Sequence, residues 1–595
     1  MRKNSIRRMG AALLALALLA GCGRQALPDG GSVSTLAPAP TDTPAPQATA
    51  VPAPTATPER ETATVDLPVQ PEWTSADGIH ADVDFGDMQW FLYDLGPFED
   101  RAEELSRAED EEAAETLYRW LLTEYTRLQT LDELAWIDFY YYGGEECSDR
   151  CQTTDEMLST AGDTLHLAVS RVLNGPLGES FAAWLGEEDS YMLSDYQEMS
   201  DRELELSLRE TELTLEYNDL LMDENMSQAR LGLEAADIFL ELVAVRNELA
   251  ELRGYASYAD YAYQAIYGRD YTPEDAAALC DALRPYARLY YRDCCYCKAF
   301  YVKLGREAEK SPEQLMELLR EYAPRVSPRA AAAQAYMEEH GLFLLGSRGD
   351  IADLGFTTTL EYYRAPFLYN CLSGDLYDIG SMFHEFGHYY DAFVNPSPNP
   401  LTSGGSYDIF EIHSTGLEAL SYFWYDELFD TIAEEARIYC LDGLIYNIIS
   451  GCEYDEFQRY AYSHPELTAE ELCDAYVSIH ESYGGTVWDE EDRYYWVNVS
   501  HNFESPFYYI SYAASALAAV QIWSLAREDF DAALDLYNRL VALGAYDTPY
   551  CQLLLETGLS VFTDGLDACL SDALESLQNM CLQYDESRPH SYKVK

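Results

Sequence analysis

The sequence predicts an all-α protein, built as one helical body with two lobes. Apolar side chains recur every three or four residues in several segments, which is the period of a helix with one buried face. Two such segments are 199–222 and 515–542, and both carry Glu and Arg on the opposite face. Strand and helix patterns do not alternate as in βαβ folds, which excludes a Rossmann-type or periplasmic-binding fold.

The clearest helix pattern ends at Gly254, and glycine is the residue type that most often follows a helix C-terminus. Its apolar positions are Ile238, Leu242, Val245, Leu249 and Leu252. The same spacing in a charged N-terminal region predicts a second helix, with apolar positions at Leu117, Trp120, Leu121 and Leu128.

Residues 1–21 have the pattern of a lipoprotein signal peptide, which is no part of the fold. Basic residues precede an apolar run that ends in Leu19-Ala20-Gly21-Cys22, and this ending resembles the lipobox of bacterial lipoproteins. Cleavage before Cys22 and lipidation of its thiol would anchor the mature chain to a membrane. The alternative is an ordinary secretory signal with an incidental cysteine. No later stretch has 18 uncharged apolar residues, so the sequence predicts no other membrane span.

Residues 22–74 are rich in Pro, Thr and Ala and nearly lack large apolar side chains. Such a segment cannot bury enough surface to offset its ordering entropy, so we expect a disordered tether. The body at 75–595 has no second low-complexity break. We divide it into an N-terminal helical lobe at about 75–230 and a catalytic region at about 231–595.

The charge balance is extreme, with 104 acidic and 38 basic residues and a net charge of −66. A surface of this kind repels nucleic acid and anionic lipid, so we expect no nucleic-acid partner. It could draw in cationic peptides. A generally acidic surface that plays no part in substrate binding explains the composition equally well.

A short sheet is predicted just before the most informative motif. Residues 356–363 and 367–370 are β-branched and aromatic, and Ser373-Gly374-Asp375 supplies a turn. Pro366 indicates that one strand lies at an edge. An edge strand could pair with an extended peptide backbone, although a purely structural hairpin fits the pattern as well.

The most informative motif is His384-Glu385-Phe386-Gly387-His388. Residues four apart share a helix face, so His384 and His388 can bind one metal ion while Glu385 lies beside its open coordination site. This H-E-x-x-H pattern is typical of zinc peptidases, in which the glutamate is the general base for a zinc-bound water. The alternative is a buried helix with two incidental histidines.

A catalytic zinc ion takes three protein ligands and one water, so a third ligand is needed. Downstream, Glu411, Ser414 and Glu418 share one helical face. We assign Glu411 as the third ligand, with Ser414 and Glu418 as groups that orient a histidine or the carboxylate. By chemistry alone Asp408, His413 and Glu418 remain rival ligands.

A third cluster contains His501, Tyr508, Tyr509 and Tyr512. Peptide hydrolysis passes through a tetrahedral oxyanion, which neutral hydrogen-bond donors beside the metal can stabilise. Imidazole and phenol groups are such donors. These four residues are therefore candidate catalytic residues.

In their order along the chain, the three clusters resemble the thimet oligopeptidase and oligoendopeptidase F family, and most closely its bacterial oligoendopeptidase branch. The similarity spans roughly residues 190 to 585. It implies a mostly helical ellipsoid with a deep central channel, a small β-sheet beside the zinc helix, and one Zn²⁺ at the channel floor. It also implies Glu411 as third ligand, and His501, Tyr512 and one of Tyr508 and Tyr509 as contacts of the substrate carbonyl.

The resulting hypothesis is a membrane-anchored zinc endopeptidase that hydrolyses short unfolded oligopeptides. We expect a monomer, attached through Cys22 to a bacterial membrane on its extracytoplasmic side. The anchor and tether depart from the family pattern, because its members are often cytosolic. Two alternatives remain, a peptide-binding surface lipoprotein and a pseudoenzyme without hydrolytic activity.

Overall fold

The computed structural model describes residues 79–194, 200–221, 226–294, 309–402, 404–546 and 548–587. The predicted signal peptide, Cys22 and the tether lie outside these residues. Helices dominate the described chain, and a single three-stranded sheet accompanies them there. Within the same ranges, no helix combines the length and apolar character needed to cross a membrane. The prediction of a mostly helical fold with a small sheet is confirmed.

The N-terminal helices share an apolar core of their own, which includes Phe98, Leu121, Leu165 and Phe181. The long helix α2 leaves this core near its C-terminal end, where Ile137 joins the main core. The division of the body near residue 230 stays a prediction. The helices of this region are α1 (Gly96–Ser106), α2 (Glu111–Tyr142), α3 (Glu145–Leu173), α4 (Gly178–Leu185), α5 (Glu187–Ser194) and α6 (Asp201–Leu221).

The main core is formed by the later helices, many of which are apolar on more than one face. In the described residues, short 3-10 or π segments interrupt the series at Ala262–Ile266, Tyr422–Trp424, Asp430–Ile432, Asp492–Asn498 and Leu566–Leu570. The helices are α7 (Gln228–Leu252), α8 (Tyr258–Tyr261), α9 (Pro273–Asp293), α10 (Pro312–Val326), α11 (Pro328–Glu339), α12 (Tyr377–Val394), α13 (Tyr407–Ser421), α14 (Tyr425–Phe429), α15 (Ala433–Ser463), α16 (Ala469–Tyr483), α17 (His501–Glu504), α18 (Ile510–Glu528), α19 (Phe530–Leu543), α20 (Tyr550–Thr557), α21 (Phe562–Gly565) and α22 (Ser571–Ser587).

The sheet has the strand order β1-β3-β2 and lies immediately before α12. Its strands are β1 (Phe343–Ser347), β2 (Gly355–Leu360) and β3 (Ala365–Leu372). The strand β3 is buried throughout, runs parallel to β1 and antiparallel to β2, and leaves β2 at an edge. The prediction that Pro366 marks an edge strand is wrong, because Pro366 belongs to the central strand. It is tolerated there because β1 begins to pair only at Leu368.

Helix α12 carries the H-E-x-x-H motif. It is fixed by hydrogen bonds to the turn before it and by a close contact with α13. At its start the carboxylate of Asp378 accepts hydrogen bonds from the backbone N–H groups of Ser373, at 2.7 Å, and Gly374, at 2.8 Å. Further along, a Cβ on Gly387 would lie only 2.5 Å from the carbonyl oxygen of His413. Only glycine permits this approach of α12 to α13, and the approach brings the two candidate ligand helices together.

Candidate metal centre

The side chains of His384, His388 and Glu411 converge where α12 crosses α13. Their candidate ligand atoms all lie within 4.8 Å of one another. The Nε2 atoms of His384 and His388 lie 3.6 Å and 3.8 Å from the same oxygen of Glu411. Helix α12 supplies both imidazoles from one face, as the four-residue spacing predicts, and α13 supplies the carboxylate.

Glu418 lies about two helical turns after Glu411 on α13 and contacts the metal cluster, which we define as His384, His388 and Glu411. Its carboxylate is 3.0 Å from Nδ1 of His384 and accepts the hydrogen bond of that nitrogen, so that Nε2 is the nitrogen that faces the cluster and is placed to bind a metal. Burial lowers the pKa of His384, but the charges of Glu418 and Glu411 outweigh it and raise the pKa to about 9. For His388, burial and the nearby imidazoles lower the pKa well below its ordinary value.

The carboxylate of Glu411 is buried and accepts hydrogen bonds on both oxygens. One oxygen accepts from the hydroxyl of Ser414 at 3.1 Å, and the other from the phenol of Tyr508 at 3.0 Å. Burial raises the pKa of Glu411, while His384 and these two donors act in the opposite direction. The two hydrogen bonds fix the orientation of the carboxylate toward the histidines.

Glu385 is buried beside the metal cluster and is held by the edge strand. The hydroxyl of Thr357, in β2, lies 2.9 Å from the backbone carbonyl of Glu385 and 3.2 Å from its carboxylate. Burial raises the pKa of Glu385 to about 8, with His384 lowering it and Glu411 raising it further. A carboxyl group with a pKa near neutrality is suited to accept and return a proton.

Two of the rival ligands lie elsewhere. The imidazole of His413 has Nδ1 3.1 Å from the carboxylate of Asp391 and Nε2 3.4 Å from the carbonyl of Leu540. The carboxylate of Asp408 lies 3.6 Å from the guanidinium of Arg269. The third rival, Glu418, contacts Nδ1 of His384, the ring nitrogen that faces away from the cluster. Among the candidates on α13, Glu411 alone meets both histidines at Nε2.

The segment 501–512, called here the tyrosine segment, lies against the metal cluster. The His501 ring centroid is 5.3 Å from those of Tyr508 and Tyr509 and 6.1 Å from that of Tyr512. Tyr508 is engaged with Glu411, and Tyr509 packs edge-on against Tyr454 at 4.9 Å. Tyr512 lines a cavity together with His384. The structure thus brings all four residues together and gives the three tyrosines different surroundings.

Sequence reasoning missed the buried residues that shape the tyrosine segment. Phe507 has φ of 67°, an uncommon conformation for a bulky residue. Its carbonyl accepts a hydrogen bond from Arg269 at 2.9 Å, and its N–H donates to the side chain of Gln458 at 2.5 Å. Arg269 also donates to the hydroxyl of Ser511 at 2.9 Å. The only signal in the sequence was the basic side chain of Arg269 in a strongly acidic, tyrosine-rich chain.

The cavity that Tyr512 lines continues from the metal cluster along α15 and, together with the open solvent at its mouth, spans about 1050 Å³. Its walls near the cluster include Glu418 and Thr415. This cavity is a concave, mostly apolar site with a few polar groups, which is the usual character of a binding site.

The donor set fits a zinc ion. Two imidazole nitrogens and one carboxylate are the protein ligands of one common class of catalytic zinc site, which keeps a further position for water or substrate. The proton that Glu418 holds on Nδ1 of His384 leaves the cluster-facing nitrogen able to coordinate. The fold and the site together define a mostly helical protein with a candidate divalent-metal centre of the H-E-x-x-H type.

Comparison with solved structures gives this fold a name. The chain is similar to an X-ray structure of a candidate oligoendopeptidase F, with a TM-score of 0.68 and 20% identity over 85% of this chain and 99% of that one. It also resembles a structure of PZ peptidase A with an inhibitor. The TM-score is 0.67 and the identity 20%, over 85% of this chain and 100% of that one. A third similar structure is a candidate oligoendopeptidase F from Bacillus anthracis str. Ames. Its TM-score is 0.65 and its identity 19%, over 85% of this chain and 99% of that one. The chain therefore has the oligoendopeptidase F fold. No protein-family model and no curated protein matches it.

Proposed function

We propose that this protein is a zinc-dependent endopeptidase that cleaves short unfolded peptides. The observation that carries the proposal is the convergence of His384, His388 and Glu411, with Glu385 buried beside them. The fold gives independent support, because solved structures with this fold are described as peptidases. Membership of the oligoendopeptidase family is part of the same proposal.

His384, His388 and Glu411 would hold the metal ion, and Glu418 would keep His384 in the tautomer that coordinates. When bound by these three residues, a zinc ion would supply Lewis-acid chemistry that polarises a carbonyl and lowers the pKa of a water molecule. Glu385 accepts the proton of the attacking water and returns it to the leaving amine. Thr357 keeps the Glu385 carboxylate in place during both transfers.

The tyrosine segment would serve the developing oxyanion. Tyr512 lines the cavity beside the metal cluster, so its phenol is the donor that we assign to the oxyanion. His501 is partly exposed and packs against Tyr512, which makes its imidazole a second candidate for the substrate carbonyl. Tyr508 instead orients Glu411, and Tyr509 supports the ring of Tyr512.

The peptide backbone would pair with β2. This strand is at the sheet edge and contains Thr357, which contacts Glu385 directly. An extended peptide added to an exposed strand is held by main-chain hydrogen bonds regardless of its sequence. Pairing at β2 would present the scissile bond to Glu385 and the metal cluster.

We further propose that the enzyme acts outside the cytoplasm as a monomer on short oligopeptides. The sequence of residues 1–22 supports a lipid anchor at Cys22, and the Pro-rich residues 22–74 support a tether that holds the body away from a bacterial membrane. Mass spectrometry of the intact mature chain would detect the lipid mass at Cys22. An unmodified mature N-terminus at another residue would overturn this part of the proposal.

The proposed mechanism is tested by Glu385→Gln with Glu133→Gln as the matched control. Both glutamates have a pKa raised by burial to about 8 and both contact a threonine of β2, but Glu133 belongs to α2. We expect Glu385→Gln to lower kcat for a quenched fluorescent peptide by about 10²- to 10⁴-fold at unchanged zinc content. Glu133→Gln should cleave at nearly the parental rate.

Parental turnover by Glu385→Gln would rule out the mechanism. Metal-loaded parent protein that binds the peptide without cleaving it would support a peptide-binding lipoprotein or a pseudoenzyme instead. Chelator treatment separates these outcomes from a contaminating peptidase, because only a metal-dependent activity is lost and then restored by added zinc.

A further inference from the structure

Two cysteines from different helices meet in the main core. Cys280 belongs to α9 and Cys452 to α15, and both are buried thiols. The thiol of Cys280 donates a hydrogen bond to the carbonyl oxygen of Cys452 at 3.4 Å. Burial, together with a direct side-chain contact with Cys280, raises the pKa of the Cys452 thiol well above its ordinary value. The two side chains are therefore neighbours in the folded protein, although 172 positions separate them along the chain.

The groups around this pair keep their hydrogen bonds when the thiol protons are lost. The guanidinium of Arg459 donates to Sγ of Cys280 at 3.4 Å, and a disulfide sulfur keeps the lone pairs that accept this bond. The carbonyl of Cys452 lies inside α15, so its helical hydrogen bond remains when the Cys280 thiol no longer donates to it. Oxidation of the pair would leave both groups hydrogen-bonded.

A comparison with Cys147 and Cys151 shows why the geometry of the first pair suits a bond. Cys147 and Cys151 lie four positions apart on α3 and are also buried. Residues at this helical spacing have their Cβ atoms about 5–6 Å apart. A disulfide needs about 3.5–4.5 Å between Cβ atoms that face each other. Cys280 and Cys452 face each other from two packed helices, which is the arrangement that a disulfide bridges.

We propose that Cys280 and Cys452 are joined by a disulfide bond in the mature protein, and that this modification ties α9 to α15. The inference rests on the proposed location outside the cytoplasm, where oxidants of thiols act, and not on the peptidase chemistry. Because both sulfur atoms are buried in the folded protein, the bond forms before α9 and α15 have packed together.

The oxidant is a disulfide, either in an oxidised dithiol protein or in a small molecule such as glutathione disulfide. One cysteine thiolate attacks it and forms a mixed disulfide, and the second cysteine then displaces the remaining sulfur of the oxidant. One S–S bond forms between the two cysteines while the S–S bond of the oxidant breaks. The two cysteine protons end on the two thiols of the reduced oxidant.

The loop closed by this bond contains the whole metal cluster. Residues 281–451 include α12 and α13, and with them His384, His388 and Glu411. A cross-link restricts such a loop in the unfolded chain and so favours the folded state. We expect the oxidised protein to unfold at a temperature about 2–5 °C higher than the reduced protein. Below this transition the two forms should cleave peptides with the same kcat.

Mass spectrometry under non-reducing conditions tests the proposal on the full chain, produced in a bacterium with its own signal sequence. Free thiols are alkylated in denaturant, and the tryptic peptides are compared before and after reduction. We expect the peptide that contains Cys280 to be linked to the peptide that contains Cys452. The second peptide also contains Cys440, so fragmentation must place the bond. Protein refolded with glutathione disulfide should contain the same link, and this arm does not depend on export.

Matched variants separate the bond from ordinary packing. Each protein is refolded with oxidised or with reduced glutathione, and the two unfolding temperatures are compared. Cys280→Ala should abolish both the link and the difference between the two preparations. Cys473→Ala is the control, because Cys473 is equally buried but lies on α16 against Trp496. It should keep the parental difference.

The outcomes separate the disulfide from the location on which it rests. A chain that carries the lipid at Cys22 but has both thiols free would overturn the disulfide and leave the location in place. A link from either residue to another cysteine would overturn the pairing. A chain that stays in the cytoplasm without lipid would overturn the location, and the refolded protein then decides the pairing. Should Cys280→Ala fail to fold, the peptides of the parent decide.

Discussion

The metal cluster and the tyrosine segment meet at one cavity but are assembled in different ways. The metal cluster comes from two helices, α12 and α13, whose regular period places the ligands. The tyrosine segment is partly irregular, turns at Phe507 with a positive φ, and is held by Arg269 and Gln458 from distant parts of the chain. The comparison teaches that one half of the site depends on local helical geometry and the other on buried tertiary contacts.

The largest effect should follow from removing a metal ligand. We expect Glu411→Gln to lose most of its bound zinc and to cleave peptides only at the background rate, because a neutral amide is a poor zinc ligand. Glu418→Gln is the graded control, since it disturbs only the partner of His384. It should weaken zinc affinity by about 10- to 100-fold and recover activity in excess zinc. Zinc titration with an activity readout would check both, and full zinc binding by Glu411→Gln would contradict the assignment.

The next largest effect should separate the tyrosines. Tyr512→Phe removes the phenol that we assign to the oxyanion and should lower kcat by about 10²- to 10³-fold at full zinc occupancy. Tyr509→Phe should have little effect on kcat, because Tyr509 packs against Tyr454 and supports the ring of Tyr512. Steady-state kinetics on zinc-loaded proteins would show the difference. Equal losses in the two variants would remove the distinction between them.

A smaller effect should follow from changing the contact that shapes the tyrosine segment. Arg269→Lys keeps the buried charge opposite Asp408 but cannot reproduce both hydrogen bonds, to the carbonyl of Phe507 and the hydroxyl of Ser511. Displacement of Tyr512 should lower kcat by about 10- to 100-fold when the variant is assayed at full zinc occupancy. If the zinc content fell in parallel with kcat, the claim that the metal cluster and the tyrosine segment are held by separate contacts would be contradicted.

The smallest effect concerns stability and compares two glycines of α12. A Cβ at Gly387 would lie 2.5 Å from the carbonyl oxygen of His413, whereas a Cβ at Gly380 meets nothing within 4 Å. Gly387→Ala should therefore destabilise the fold by about 1–3 kcal/mol through overpacking. Gly380→Ala should stabilise it by up to about 1 kcal/mol, because alanine favours the helix. Urea unfolding of both variants measures the difference, and a neutral Gly387→Ala would contradict the close helix contact.

More of the metal cluster than of the tyrosine segment could be predicted from the sequence. Helical spacing alone placed His384 and His388 on one face and put Glu385 beside them. It could not choose among Glu411, Asp408, His413 and Glu418. That choice depends on Asp391 and Arg269, which lie near the rivals only in the folded chain.

The fold could be predicted in class but not in detail. The helical period and the β-branched run indicated a helical body and a small sheet, and both are confirmed. The strand that contains Pro366 was misplaced because a sequence does not show where a neighbouring strand begins to pair. The different surroundings of Tyr508, Tyr509 and Tyr512 could not be predicted from the sequence either, because successive residues of an irregular turn follow no fixed period.

Anomalous X-ray diffraction at the zinc edge, from crystals of the active protein, tests the central claim most directly. We expect a single strong peak at about 2.0–2.2 Å from Nε2 of His384, Nε2 of His388 and a carboxylate oxygen of Glu411. Active protein with no metal at this position, or with zinc bound by a set of residues that omits Glu411, would contradict the account.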